Sequence, residues 1–364
     1  MAVYDRMRAT WLPHVMYLQE SNFSSAVVNT DAHGFRLSVA ADGSRIGYDE
    51  VRGTPCNILV GNSTAFGVGA TCDGNTLASA LANYTGDPWF NFSGRSYSST
   101  QELMLFQTHW AEFRKVRRIV IFSGANDLVL HRRSNLYPAR YGSFFFWRHF
   151  ELAMREADLS PTRRWLKMVL FPIYGDRIDW QNIRLKKLPF ALMGLNATRD
   201  KPQQWPGEGT LRRPEDVVAW TMRDIDIWRT LAGAMNAELL YVLQPLGNWV
   251  DKIRSEEETE LFAEVAASTR KFERALAHEF DRPLHDWFAG ALAANCQKLG
   301  VNFLDMNDAL SKAEIDGRWM FADYIHLTDR GYDLAGRLIA QCLAKTPHGR
   351  PVANSQGQAP RLTD

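Results

Sequence analysis

The chain reads as an α/β protein, a three-layer α/β/α sandwich around a five-stranded parallel sheet with a long insertion and an N-terminal extension. Two observations predict it. Three apolar runs, Asn57 to Val60, Trp89 to Phe92 and Arg118 to Phe122, are short, rich in β-formers and closed by a small or polar residue. Between them lie helix-like stretches, Asn75 to Tyr84 and Ser99 to Phe113, and strands alternating with helices of this length imply βαβ units.

Residues 1–54 stand outside the alternation. There Ala32–Arg36 and Ser44–Tyr48 read as two short strands or a hairpin, a flap packed on the core ahead of the sheet. The first sheet strand stops at Gly61-Asn62-Ser63-Thr64, the second at Ser93-Gly94 and the third at Ser123-Gly124-Ala125-Asn126. The helix after the second strand opens on a capping box, Ser99-Thr100-Gln101-Glu102. After the insertion come a helical segment from Val217 to Met235, a strand from Glu238 to Leu243, a helical segment from Glu258 to Leu299 and a strand from Val301 to Leu304. A last helix starts near Thr328 and runs to about Leu343. The main domain therefore spans 55–346 in a flavodoxin-like arrangement with its strand-end turns on one edge, and the tail 347–364, rich in Pro, Gly, Gln and Ser, is expected to be flexible.

Composition narrows the class. At 364 residues, 46% hydrophobic and 23% charged, the chain is neither disordered nor fibrous, and a net charge of +1 gives no global pull toward nucleic acid or membrane. No stretch reaches a spanning length, and Met1 to Leu18 carry Asp5, Arg6 and Arg8, unlike a secretory signal. Cys56, Cys72, Cys296 and Cys342 are scattered without metal spacing, which fits reduced thiols and a cytoplasmic setting. Charge is polarised inside the chain: His131 to Arg213 hold sixteen Lys or Arg against seven Asp or Glu, and Pro214 to Gly290 hold fifteen acidic against eight basic residues. The insertion 128–213 is expected to form a lid. Its alternative is a docking surface on which Arg132, Arg133, Arg163 and Arg164 receive an anionic acyl carrier, a phosphorylated acyl donor or a lipid surface.

The strand-end residues suggest one chemistry. A serine hydroxyl is a weak nucleophile until a base takes its proton, and that histidine must be held in one tautomer by an acceptor on its other nitrogen. Asp323 and His326, three residues apart, can share one face of a turn, and Ser63 would meet them at the carboxyl edge of the sheet. The Ser63 and Gly94 N–H groups and the Asn126 amide are candidate oxyanion donors. Taken singly each has a plainer reading: Ser63 as a helix cap, Gly94 as a turn glycine, Asn126 as an N-cap. The remaining histidines show no ligand spacing, Glu256-Glu257-Glu258 reads as a solvated helix start, and Asp127 as an anchor for its loop. The run Gly61 to Gly69 lacks the Lys-Ser/Thr ending of a nucleotide loop.

Four blocks in this order, Gly-Asn-Ser63-Thr, Asn-Phe-Ser-Gly94-Arg, Gly-Ala-Asn126-Asp and Asp323-Tyr-Ile-His326-Leu, resemble the SGNH hydrolase superfamily, also called GDSL-like esterases and lipases. The resemblance covers roughly Asn57 to Leu343 without the insertion. It implies Ser63 as nucleophile, His326 as base, Asp323 as its support, and Ser63, Gly94 and Asn126 as oxyanion hole, with no cofactor or metal. One departure is Asn62, where the family has aspartate. Asn29 to Arg36 is similar to a lead-in found in members linked to glycan or secondary-metabolite pathways. The implied activity is cleavage of an acyl or O-acetyl ester; the alternatives are an O-acyltransferase acting on a sugar or metabolite hydroxyl, and a binding module that keeps the fold without the chemistry.

Overall fold

The computed structural model describes residues 2–12, 14–113, 115–130, 144–146, 149–150, 152–154, 161–174, 214–268 and 276–345. Much of the insertion, with Arg132, Arg133, Trp147, Trp180, Trp205 and the Arg163 side chain, lies outside the described residues, as does the tail 347–364. The chain opens with α1 (Ala2–Arg6), a hairpin of β1 (Ala9–Leu12) and β2 (Met16–Gln19), a second antiparallel pair, β3 (Ser38–Val39) and β4 (Arg45–Ile46), and a helical turn α2 (Tyr48–Val51). The sheet region follows as β5 (Cys56–Gly61), α3 (Ser63–Phe66), α4 (Leu77–Thr85), β6 (Trp89–Ser93), α5 (Ser99–His109), β7 (Val116–Ser123) and α6 (Ala125–Leu130). Within the insertion lies α7 (Pro161–Tyr174). The chain ends with α8 (Pro214–Met235), β8 (Glu238–Leu243), α9 (Glu256–Ala266), α10 (Arg282–Leu299), β9 (Asn302–Asp305), α11 (Met306–Ser311) and α12 (Asp329–Lys345).

Five parallel strands form one sheet in the order β6-β5-β7-β8-β9, the flavodoxin-like order expected. Every residue of β5 is buried, as a strand covered on both faces requires. Helix α4 packs on α12, where Gly336 admits Ala80, and α8 packs on α5 and α10. Gly61 at the end of β5 lies opposite Ser93 of β6 and Phe122 of β7, so three strand ends finish flush and deliver the turns bearing Ser63, Gly94 and Asn126 to one edge. No helix among the described residues is long and apolar enough to cross a membrane.

Local chemistry moves several expected boundaries. Residues 32–34 form a turn, because the Asp31 carboxylate accepts from the N–H groups of His33 and Phe35 at 2.9 and 3.0 Å, and Arg36 makes only an isolated antiparallel bridge to Thr30. The β1–β2 hairpin escaped the sequence pattern because all of β2 is buried and shows no alternation. Helix α5 is capped one residue early, with Gln101 accepting from the Ser98 N–H at 3.1 Å; Glu102, the expected cap, is buried and accepts from Ser123 Oγ at 2.7 Å. The segment from Glu258 to Leu299 is not one helix among the described residues, since Asp281 caps a new start at the Leu284 N–H and Pro283 favours a first turn.

The N-terminal extension joins the main core through Val15, Tyr17, Phe35, Tyr48 and Val51. Its strongest tie is Arg36, whose guanidinium is fully buried. Nε donates to Asp73 at 2.9 Å, Nη2 to the Val27 carbonyl at 2.7 Å, and Nη1 to the carbonyls of Gly67 and Phe66 at 2.7 and 3.3 Å. Burying a charge is tolerable only when it is paired and hydrogen-bonded, and here the partners come from segments that sequence separates.

Two outcomes follow. Arg36→Met leaves Asp73 without its buried counter-charge and is expected to lower unfolding free energy by about 3–5 kcal/mol, read by denaturant melts. His285 is buried between Asp305 and Asp286, to which Nε2 and Nδ1 lie at 2.8 and 2.9 Å. Burial opposes its charge, yet these hydrogen bonds outweigh it and raise the imidazole above its ordinary range. A raised folded value means the contribution is full below the unfolded value near 6.5 and fades as pH rises through the folded one. The thermal midpoint should therefore fall as pH increases above about 6.5, and His285→Gln should flatten that slope.

Candidate active site

The serine turn is built by strand-end geometry. Gly61 lets β5 turn against the Phe122 carbonyl, where a Cβ would stand 2.3 Å from the oxygen. Asn62 caps the four-residue α3, its Oδ1 accepting from the Thr64 N–H at 3.1 Å. Its Nδ2 donates to Gln244 Oε1, and Gln244 Nε2 donates to Thr64 Oγ1 at 3.1 Å. Asn62 thus replaces an acid with an amide whose donor is matched by a buried glutamine from the end of β8. Ser63 begins α3.

The histidine turn is closed by an antiparallel bridge between Phe321 and Leu327, with the Ala322 N–H donating to the His326 carbonyl at 2.8 Å. Inside it the Asp323 carboxylate accepts from the N–H groups of Ile325 and His326 at 2.8 and 2.7 Å through Oδ1, and from His326 Nδ1 at 2.7 Å through Oδ2. One carboxylate therefore orders both the loop and the imidazole. Burial works against its charge, but His326 and the two backbone donors prevail and hold it below the usual carboxylate range. On the far side of the ring, Ser63 Oγ lies 2.8 Å from His326 Nε2, donor to acceptor once Nδ1 carries the proton. Ser63, Asp323 and His326, the three residues read from opposite ends of the sequence, form one hydrogen-bonded line.

The two turns are fastened together around that line. Thr64 Oγ1 donates to the Ile325 carbonyl at 3.3 Å, and Tyr332 Oη to the Val68 carbonyl at 2.7 Å. Asp329 accepts from the Thr71 N–H and from Asn75 Nδ2, each at 2.8 Å. Gly69, at φ +102°, comes so close to the Leu327 carbonyl that a Cβ would lie 2.3 Å from it. From below, Glu258 Oε1 accepts from the N–H groups of Met320 and Phe321 at 2.8 and 3.0 Å while its other oxygen pairs with Lys252. Glu258 corrects the sequence reading: Glu256 and Glu257 are exposed as expected, but Glu258 is buried and holds the base of the histidine loop. Its signal was the capping box Ser255-x-x-Glu258, a buried-end pattern hidden in an acidic run.

The oxyanion donors need one correction. The Gly94 N–H donates to the Gly61 carbonyl at 3.1 Å, extending the β5–β6 ladder, and is not open to a reacting oxygen. Glycine stands there because the Tyr97 ring packs on its Cα, 2.2 Å from where a Cβ would be. Two residues on, Ser96 adopts φ +59°, and its N–H and that of Ser63 have no partner among the described residues. Left-handed backbone at a non-glycine residue is uncommon and turns an amide out of the ladder direction; a serine conceals that from sequence. Asn126 donates one Nδ2 proton to the Tyr97 carbonyl at 2.8 Å and keeps the second. Asp127 anchors its loop as expected, accepting from the Ser99 N–H at 3.1 Å. Burial, countered in part by the Ser99 donors, pushes its carboxyl up to about 7.

Among the described residues one group has metal-ligand geometry, His285, Asp305 and Asp308. Its donors are already matched: His285 faces Asp305 and Asp286, and Arg282 Nη2 donates to Asp308 at 2.5 Å. Arg282 places a fixed positive charge against Asp308 there.

No family model matches the chain, and no curated protein matches it. Solved structures do. A lipase/acylhydrolase from Enterococcus faecalis shares 11% identity at a TM-score of 0.41, over 81% of this chain and 99% of that one. A member of the lipolytic protein G-D-S-L family from Veillonella parvula gives 11% and 0.41 over 79% and 98%, and a carbohydrate acetylesterase family member from Sinorhizobium meliloti 12% and 0.35 over 79% and 97%. At identities and TM-scores this low, chemistry has to be argued from the atoms of the site.

Gly94→Ala forces a Cβ into the Tyr97 ring and should cost about 1–3 kcal/mol. Because Tyr97 also carries the carbonyl that holds Asn126, turnover should fall together with the melting temperature, which differential scanning fluorimetry and an ester assay read side by side.

Proposed function

We propose that the chain is a serine esterase in which Ser63 forms an acyl-enzyme that water then resolves. The observation that carries this reading is the continuous line from Asp323 through His326 to Ser63 at the carboxyl edge of a parallel sheet. His326 takes the Ser63 proton as Oγ attacks the ester carbonyl, then gives it to the departing alcohol; in the second half it takes a proton from water and returns it to Ser63. Asp323 keeps the imidazole in the required tautomer and supports its transient charge. The negative charge on the carbonyl oxygen is assigned to the N–H groups of Ser63 and Ser96 and the second Asn126 amide proton, in place of the Gly94 N–H of the sequence reading. The four sequence blocks that resemble the SGNH hydrolases support the same reaction class, with an acyl or O-acetyl ester as substrate.

Ser63→Ala should lower turnover of p-nitrophenyl acetate by about 10⁴-fold or more and abolish labelling by a fluorophosphonate probe, with the circular dichroism spectrum unchanged. Turnover that survives this substitution would overturn the assignment. Asp323→Asn should keep the serine in place yet cost about 10²–10⁴-fold, because an amide can present the wrong partner to Nδ1.

A further inference from the structure

A surface helix ordinarily turns its polar stripe to water and its apolar stripe to the core. Helix α7 instead leaves an apolar stripe exposed. Trp165, Met168, Val169, Pro172 and Ile173 recur at the spacing of one helical face, and all five are exposed, Met168 and Ile173 by 69% and Trp165 by 57%. Leu166, Lys167 and Leu170, off that stripe, are the half-buried positions. The helix contains no acid, and its charges are Arg163, Arg164 and Lys167. Lys167 Nζ sits 5.3 Å over the Phe171 ring, which holds positive charge beside the apolar stripe. The surrounding insertion, His131 to Arg213, carries sixteen basic against seven acidic residues.

We propose that α7 is a membrane-surface helix that lies in the headgroup region of an anionic lipid bilayer. At 14 residues it is about 21 Å long, too short to span a hydrocarbon core of about 30 Å but suited to lying in the plane. The stripe supplies Trp165, Met168, Val169 and Ile173 for the acyl boundary, and the basic residues supply attraction to phosphate headgroups. Between its ends the helix offers no hydroxyl or amide side chain, only the indole N–H of Trp165, with Thr162 and Tyr174 near its termini. A protein interface uses such groups at its rim to fix register, whereas a bilayer asks only for apolar depth and positive charge. That chemistry favours lipid over an acidic carrier protein. The net charge of the whole chain, +1, conceals the feature because the acidic segment after Pro214 cancels the insertion.

The test uses the full chain and sedimentation with vesicles of phosphatidylcholine alone or mixed with phosphatidylglycerol. Binding is expected with the mixed vesicles, weaker with phosphatidylcholine alone, and reduced by added salt. Trp165→Glu, Met168→Glu and Ile173→Glu together should lower the partition coefficient by about tenfold or more while leaving turnover of soluble p-nitrophenyl acetate unchanged. Arg164→Glu with Lys167→Glu, which spares the stripe, should remove the preference for phosphatidylglycerol and guards against a folding defect in the triple variant. No vesicle binding by the unsubstituted chain, or binding by both variants equal to that of the unsubstituted chain, would overturn the proposal. So would capture of an acidic acyl carrier protein, or self-association in sedimentation velocity, that the triple variant loses in the absence of vesicle binding. The vesicle-binding readouts do not require Ser63 to be a nucleophile.

Discussion

The site depends on one constraint: two turns that are about 260 residues apart in sequence must be held close enough for a single hydrogen bond, Ser63 Oγ to His326 Nε2. Closing a loop of that length is entropically costly, and a lone hydrogen bond contributes too little to hold it. The contacts around it do so instead. Asp329 accepts from Thr71 and Asn75, Tyr332 reaches the Val68 carbonyl, Thr64 reaches the Ile325 carbonyl, and Gly69 removes the side chain that would keep the backbones apart. Each of these lies on α12 or its lead-in and on the turns after β5, so packing of α12 against α4 carries the histidine to the serine.

Support reaches the same two turns from outside the sheet. Arg36 binds the carbonyls of Phe66 and Gly67 at the end of α3, so the N-terminal extension is part of what fixes the serine turn. Glu258 binds the backbone at Met320 and Phe321, so α9 is part of what fixes the histidine turn. Behind Asn126, Glu102 and Asp127 are buried acids whose carboxyls burial pushes upward; the hydroxyl of Ser123 donates to one oxygen of Glu102, and the N–H of Ser99 is shared between both oxygens of Asp127.

Some of this was legible and some was not, for physical reasons. The strand-end turns announced themselves because a fully buried parallel strand must stop where polar residues begin, and Glu238–Leu243 was bounded correctly for that reason. Asp323 and His326 were legible because their three-residue spacing is itself the geometry of their contact. Gly94 misled because a glycine at a strand end serves close packing as readily as it serves an open N–H, and the sequence does not say which carbonyl that N–H meets. Ser96 was overlooked because its role lies in a backbone angle. Glu258 was overlooked because its neighbours Glu256 and Glu257 are solvated, and only tertiary contact separates it from them.

The sequence by itself determined the layer order, the parallel sheet and the three residues of the hydrogen-bonded line, since these follow from hydrophobic runs, strand-end turns and one short spacing. Tertiary structure decided which backbone amides are left open at the site, which acids are buried, how one arginine ties the extension to the serine turn, and which face of α7 meets solvent. Those are properties of partners brought from distant positions, and a linear pattern encodes the groups but not the neighbours that claim their hydrogen bonds.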